Sequence, residues 1–262
     1  MDSAIVLWKS KMTHYHPSRV FALRMQAKYT SRSRLAARSY QGTFLTCAIC
    51  HVRKEKRFCL ALHDRICPQC CGEQREVTIE CPSECPYLQQ ARQHEKPRDF
   101  GEKLPDEMFP AVELTQDFLH RNEPLIAGLL QTLLRISAAD RKLKDREIIA
   151  ALTTMARSYQ TLVSSGLVYQ ETLANPAQLA IIDTLRRSVE EYRQVQQQHL
   201  GYTPLRDSDV LKALVFMIRL AHLHTSGRPL SCAFIDSLHE RFPAPGPAGD
   251  MAAQTGSRII LP

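Results

Sequence analysis

Cysteine is the residue whose type and spacing point to chemistry in this sequence, because thiolates are strong ligands for zinc and other soft metal ions. Eight of the nine cysteines fall within residues 47–85. Two pairs have the form Cys-x2-Cys, namely Cys47 with Cys50 and Cys67 with Cys70, and sixteen residues separate the pairs. This spacing is typical of two pairs that together close one tetrahedral zinc site. The sequence therefore predicts a four-thiolate metal site.

The remaining clustered cysteines are numerous enough for a second site. They are Cys59, Cys71, Cys81 and Cys85. His63 and His94 are alternative ligands, since Cys59-x3-His63 and Cys85-x8-His94 are spacings that a zinc site can also use. We therefore predict two zinc ions. A shell of four thiolates leaves no coordination position for a substrate, so the ions are expected to stabilise the fold and take no part in catalysis.

Other uses of these cysteines stay open on the residues alone. Iron–sulfur clusters are also held by thiolates, and spacing does not distinguish them from zinc sites. Disulfides belong to oxidising compartments, and no secretory signal pattern opens the sequence. Reduced cysteine can also be buried as a small apolar residue, although that role does not explain the Cys-x2-Cys pairing. A redox-active pair is expected at a helix start in a βαβ unit, and the residues around Cys67 predict no such unit.

One family resemblance follows from the order of these residues. The cross-braced RING finger is similar in its four pairs, which here are Cys47 with Cys50, Cys59 with His63, Cys67 with Cys70, and Cys81 with Cys85. In that family the first and third pairs share one zinc ion, and the second and fourth pairs share the other. The resemblance implies a ubiquitin-ligase partner. The sequence departs from it in the short gap before Cys59, the wide last pair, and Cys71, which has no place in the pattern.

A second resemblance covers most of the chain in outline. The segment from Ile66 reads ICPQCCGEQR, and the segment from Ile79 reads IECPSECPYL. Both resemble a cysteine-rich module that heads a family of uncharacterised bacterial proteins, in which a helical region follows the module. The resemblance implies the same order of domains here, and it implies no activity.

The basic character of the protein lies at its N-terminus. Residues 1–40 contain eight Lys or Arg and one acidic residue, Asp2, which accounts for the whole net charge of +7. Clustered Arg and Lys contact phosphate backbones without sequence preference, so this arm predicts nucleic-acid binding as an alternative function. The same composition suits an organelle transit peptide or a disordered extension. We expect the arm to be disordered.

The rest of the sequence divides at its prolines and glycines. We predict a cysteine-rich module over residues 44–95, a linker over 96–110, a helical bundle over 111–242 and a disordered tail over 243–262. A short helix is predicted at 86–94. In the bundle, apolar residues recur at spacings of three and four, which predicts five helices. They run from about 111 to 136 with a kink or break allowed at Pro124, and then over 145 to 164, 176 to 198, 207 to the break at Gly227, and 231 to 241. Asn175 is expected to cap a helix, and Gly166 and Gly201 to end two others.

These patterns together predict a mainly α protein, in which a small zinc module precedes an all-α bundle. No apolar run reaches the eighteen residues of a membrane span, so we expect a soluble, cytoplasmic protein without membrane contact. Within the bundle, His222 and His224 are two residues apart and diverge on a helix. Cys232 is isolated, and we expect it to be a buried structural thiol. The sequence leaves catalysis open and favours a protein without it. We expect an interaction or regulatory protein with an unidentified protein partner, and retain nucleic-acid binding, a RING-like ligase module and a thiol redox protein as alternatives.

Overall fold

The described chain consists of a small cysteine-rich part followed by a larger helical part. The computed structural model describes residues 46–95, 104–168 and 175–242. Over these residues the protein is mainly α-helical, with a cysteine cluster near its N-terminal end, which confirms the predicted fold class. The predicted arm at 1–40 and the predicted tail at 243–262 lie outside the described residues.

The cysteine-rich module contains a hairpin and two short helices. Strands β1 (Arg57–Cys59) and β2 (Asp64–Ile66) are antiparallel, and helices α1 (Pro68–Gln74) and α2 (Pro86–His94) follow. Phe58 lies opposite Arg65 on the exposed face, whereas the buried Cys59 and Ile66 belong to the inner face. The sequence analysis predicted α2 but not the hairpin, because strands of three residues are too short to show an alternating pattern.

Sulfur makes up most of the interior of this module. Its buried cluster contains seven residues, and only Ile66 and Ile79 among them are not cysteine. The other members are Cys47, Cys59, Cys67, Cys70 and Cys71. A domain this small buries too little apolar surface to be stable on that basis alone. The module is therefore expected to depend on whatever binds the sulfurs.

The helical region has a separate core. A short 3-10 helix (Asp106–Met108) precedes α3 (Gln116–Arg121), α4 (Glu123–Ala139), α5 (Asp145–Ser165), α6 (Pro176–Leu200), α7 (Asp207–His224) and α8 (Ala233–Arg241). Helix α5 packs against both α6 and α7, and α4 packs against α6. The side chains of Leu133, Leu152, Leu185 and Phe234 meet in a core that excludes solvent completely. No helix in the described ranges combines the length and the apolar character that crossing a membrane requires.

The helix ends follow the local signals in the sequence. Asn175 Oδ1 accepts a hydrogen bond from the backbone N–H of Ala177 at 3.0 Å, which satisfies one of the free donors at the start of α6. Gly166 and Gly201 adopt φ values of 72° and 75° at the ends of α5 and α6. Residues with a Cβ adopt this left-handed conformation only at a cost, so both glycines end their helices as predicted.

The segment after residue 111 differs from the prediction of one helix with an allowed break. Residues 111–115 are not helical, and α3 begins after Thr115, whose Oγ1 accepts from the N–H of Phe118 at 3.2 Å. The helical conformation is interrupted at Asn122, and Pro124 lies in the first turn of α4. Proline has no N–H to donate within a helix but is tolerated in a first turn, so the chain starts a new helix at this point.

The cysteine-rich module is bound to the bundle by buried polar groups, and the described residues from Thr46 onward form one compact unit. Glu76 is 2% exposed, and its carboxylate accepts from Ser226 Oγ at 2.9 Å and from Arg92 Nη2 at 3.0 Å. Its backbone carbonyl accepts from the N–H of Leu230 at 2.8 Å. The backbone of Glu76 has φ of 54°, an uncommon value that these contacts maintain.

Two arginines extend this junction. Arg92 of α2 donates to Asp236 of α8 at 2.6 Å in addition to its contact with Glu76. Arg228 donates to the carbonyls of Gly72 and Arg75 at 3.2 Å and 2.6 Å, near the end of α1. Further along the bundle, Arg219 of α7 donates to three backbone carbonyls, those of Met108, Phe109 and Val112. The described end of the predicted linker is thus held against the bundle, while the predicted domain limits stay predictions.

Substitution of Asp145 by alanine is expected to destabilise the bundle by about 2–3 kcal/mol. Asp145 is 1% exposed and accepts hydrogen bonds from Ser231 Oγ at 2.7 Å and from the N–H groups of Phe234 and Ile235 at 3.1 and 3.2 Å. Its removal leaves these donors buried without an acceptor. Urea unfolding followed by circular dichroism measures the change. Asp183→Ala, at an exposed position of α6, is the control and is expected to change the free energy of unfolding by less than about 0.5 kcal/mol.

Candidate metal centre

The first half of the candidate site is a tight turn that contains Cys47 and Cys50. The N–H of Cys47 donates to the carbonyl of Arg53 at 2.8 Å, and the N–H of His51 donates to the carbonyl of Cys47 at 2.8 Å. His51 closes the turn in the left-handed conformation, with φ of 55°. The N–H of Ala48 donates to the carbonyl of Arg65 at 3.0 Å, so the turn is attached to strand β2.

The second half is the start of helix α1. Cys67 is the N-cap residue, Pro68 occupies the first turn, and the Sγ of Cys67 accepts from the N–H of Cys70 at 3.4 Å. Helix starts present free N–H groups and favour negative charge. Strand β2 ends at Ile66, directly before Cys67, so the hairpin delivers this helix start to the turn that carries Cys47 and Cys50.

The two halves meet at one point. The sulfur atoms of Cys47, Cys50, Cys67 and Cys70 all lie within 4.8 Å of one another. Cys47, Cys67 and Cys70 are no more than 3% exposed, and Cys50 is partly exposed. A tetrahedral ion with metal–sulfur bonds of about 2.3 Å holds its sulfurs roughly 3.8 Å apart. The predicted first set of cysteines therefore forms a cluster that could bind a metal ion.

An arginine lies beside this cluster. Arg53 Nη1 is 3.7 Å from the sulfur of Cys67 and 3.7 Å from that of Cys70. Its contact with Cys67 raises the pKa of the Arg53 guanidinium. Four thiolates and one divalent ion carry a net charge of about −2, which a guanidinium partly neutralises. Arg53 contacts the site without being a metal ligand, so the spacing of the cysteines did not predict it.

Metal binding would change the protonation of these four thiols. The N–H of Arg53 lowers the pKa of Cys50 most, and the N–H of Cys70 does the same for Cys67. Burial, followed by the neighbouring thiols, raises the pKa of Cys70 to about 12. Cys70 is therefore a protonated thiol at neutral pH unless a further positive charge, beyond that of Arg53, lowers its pKa. A bound metal ion supplies that charge and deprotonates its ligands.

The other four clustered cysteines are also near one another, at wider spacing. Cys59, Cys71, Cys81 and Cys85 line one small cavity in the module. Among the described residues, only the first group of cysteines has all its ligand atoms within 4.8 Å. The alternative ligands lie elsewhere: His63 is exposed in the hairpin turn with φ of 52°, and His94 is exposed at the end of α2. Neither histidine lines the cavity.

The alternatives to metal binding can be compared with these positions. All nine cysteines lie in the described residues, and none forms a disulfide. Cys67 does follow a strand at a helix start, as in redox proteins, but that strand belongs to a two-stranded antiparallel hairpin. Cys232 is partly buried at the start of α8, and burial raises its pKa to about 11. A thiol with that pKa is almost fully protonated at neutral pH, which suits the structural role predicted for it.

Comparisons with known proteins add no support for the resemblance to the RING finger or for the resemblance to the bacterial family. No family model, curated protein or solved structure matches this chain. The description of the site therefore depends on its own geometry.

Loss of the Arg53 guanidinium is expected to weaken metal binding. Arg53→Ala removes the donor to two sulfurs, and outer-shell partners of this kind commonly change metal affinity by about 10-fold or more. Competition with a chromophoric chelator measures the change in affinity. Lys54→Ala removes a neighbouring exposed charge that contacts no sulfur and is the matched control. Equal affinities for the two variants would show that Arg53 acts only through its net charge.

Proposed function

We propose that this chain is a zinc-stabilised interaction or regulatory protein that has no catalytic activity of its own. Zinc in the site of Cys47, Cys50, Cys67 and Cys70 holds the N-terminal module in its folded form. The bundle and the module together present the surface that a protein partner recognises.

The observation that carries this proposal is the convergence of four sulfurs on one point. Four thiolates fill a tetrahedral shell, so the ion has no open position for water or a substrate. Catalytic zinc sites keep such a position and commonly use histidine or carboxylate ligands. The composition of this cluster therefore supports a structural role for the ion.

The architecture of the module supports the same role. Because its buried cluster consists mostly of cysteine, few contacts remain to hold it together when the sulfurs are unbound. Metal binding to small zinc-dependent folds contributes about 10–16 kcal/mol of apparent free energy at neutral pH. The bundle differs, since its own apolar core does not include these cysteines. Folding of the module is thus expected to require the ion, whereas folding of the bundle is not.

The partner of the protein is not identified by these observations. The basic arm at residues 1–40, on which the nucleic-acid alternative depends, lies outside the described residues and remains a prediction from the sequence. The RING resemblance in the sequence uses His63 as a ligand, and His63 is exposed in the hairpin turn. An interaction role without catalysis accordingly remains the proposal that the described residues support best.

Metal analysis of the purified full chain tests the identity and role of the ion. We expect zinc and no visible colour, whereas an iron–sulfur cluster would absorb strongly in the visible range. A strong chelator is expected to remove the ion and unfold the module, with most of the helical circular dichroism retained. Cys67→Ser is expected to lose the ion of the first site, and Cys232→Ser, outside the cluster, is the matched control that keeps it.

The closed shell is tested separately with cobalt in place of zinc. Tetrahedral cobalt bound by thiolates has characteristic visible absorption, which changes when an outside ligand joins the shell. We expect no change on addition of azide, because all four positions are occupied by sulfur. A clear shift of the spectrum with azide would indicate an open position and would favour a catalytic ion over the structural one proposed.

A further inference from the structure

The four cysteines outside the first cluster come from separate parts of the module and face a common interior. Cys59 ends strand β1, Cys71 lies in α1, Cys81 follows Ile79 in the chain, and Cys85 is the N-cap residue of α2. All four line the same cavity. Three of them are 8% exposed, and Cys81 is partly exposed. Four separate segments of the chain thus each place one cysteine at the same cavity.

The cavity has the size of a single small ligand. Its volume is about 10 Å³, which is close to the space that one water molecule needs. The other side chains that line it are those of Phe58, Ile66, Ile79 and Tyr87 and of two arginines, Arg57 and Arg75. A metal ion bound by sulfur suits such a cavity, because thiolate is among the ligands that zinc prefers.

Arginine side chains lie beside the second group of cysteines, as Arg53 lies beside the first. Arg57 Nη1 is 3.4 Å from the sulfur of Cys71, and Arg75 Nη2 is 3.9 Å from the same atom. The guanidinium of Arg57 also lies over the ring of Tyr87, 4.6 Å from its centre, which holds it in position. Two guanidinium groups at one cysteine are favourable when that sulfur carries negative charge, as a metal ligand does.

The neighbouring cysteines of α1 explain how two sites can lie side by side. Cys67 is the N-cap residue and Cys70 follows three positions later, so both face the first site. Cys71 is one residue further along, and one residue turns a helix by about 100°. Its sulfur therefore points away from the first site and into the cavity of the second group. The neighbouring residues Cys70 and Cys71 thus belong to two different groups of cysteines.

We propose that Cys59, Cys71, Cys81 and Cys85 bind a second zinc ion, with Cys71 in the position that the cross-brace pattern gives to His63. This inference rests on the proposed function, since it extends thiolate-bound zinc to a second set of ligands. The sulfurs of this group are spaced more widely than those of the first, and rotation about their Cα–Cβ bonds can turn them toward a common centre. Binding replaces the thiol protons with one ion and leaves no open position on it.

The second ion would lie next to the junction with the bundle. Glu76 and Arg92, which hold the module against the bundle, flank the chain segment that carries Cys81 and Cys85. An ion bound by these cysteines joins that segment to strand β1 and helix α1. It would therefore help to position the residues through which the module contacts the bundle.

Zinc content measured by inductively coupled plasma mass spectrometry, with native mass spectrometry of the full chain, tests the assignment. The native chain is expected to contain two zinc ions, Cys71→Ser one, and both His63→Ala and Cys232→Ser two. One ion in the native chain, or loss of an ion in His63→Ala with two retained in Cys71→Ser, would overturn the second site. A native chain without zinc would instead contradict the proposed function itself.

Alkylation of the native chain tests the same assignment without any variant that could misfold. In the zinc-bound protein we expect Cys59, Cys81 and Cys85 to resist a thiol reagent as strongly as Cys47 and Cys50, and all five to react after chelation. Mass spectrometry of the peptides measures each rate. Rapid labelling of the first three beside protected Cys47 and Cys50 would show one filled site and would contradict the proposal.

Discussion

The N-terminal module depends on the meeting of two Cys-x2-Cys pairs at one point. Each pair is prepared locally, the first by a turn closed at His51 and the second by the start of α1. The hairpin between them brings the pairs together, because β2 ends directly before Cys67 and also binds the first turn through Arg65. Sulfur then occupies the interior where a larger domain would have apolar side chains. The same sulfur atoms therefore fill the interior of the module and form its candidate metal site.

The attachment of this module to the bundle has a different physical basis. It depends on polar contacts of Glu76 and Arg92 with the segment before α8 and with α8 itself, and of Arg228, within that segment, with carbonyls at the end of α1. A buried carboxylate that lost its donors would be strongly destabilising, so such contacts favour one arrangement over others. The apolar core of the bundle ends short of the sulfur cluster, and the two interiors are separate. Each part is thus stabilised by its own means, and the junction fixes how they meet.

The helices of the bundle were predictable because their signals are local. Apolar periodicity identified the helices, and the residues Asn175, Gly166 and Gly201 marked ends that the structure confirms. The prediction was less successful where the signal was short or ambiguous. Asn122 breaks a stretch whose apolar pattern continues through it, and the hairpin strands contain only three residues each. Pro124 starts a new helix after Asn122, whereas the pairing of the strands decides the conformation of the hairpin. Apolar periodicity records neither effect.

The sequence by itself determined that cysteine pairs of metal-binding spacing precede a set of amphipathic helices. It did so because ligand spacing and helical periodicity are properties of neighbouring residues. Only the tertiary structure decided that Cys59 and Cys71 share a cavity while His63 stays exposed, and that Arg53 reaches two sulfurs. These relations join residues through a hairpin and a helix start, and side-chain direction there depends on how the segments pack. Spacing along the chain identifies possible ligands, whereas the packing of the segments determines which of these residues lie together.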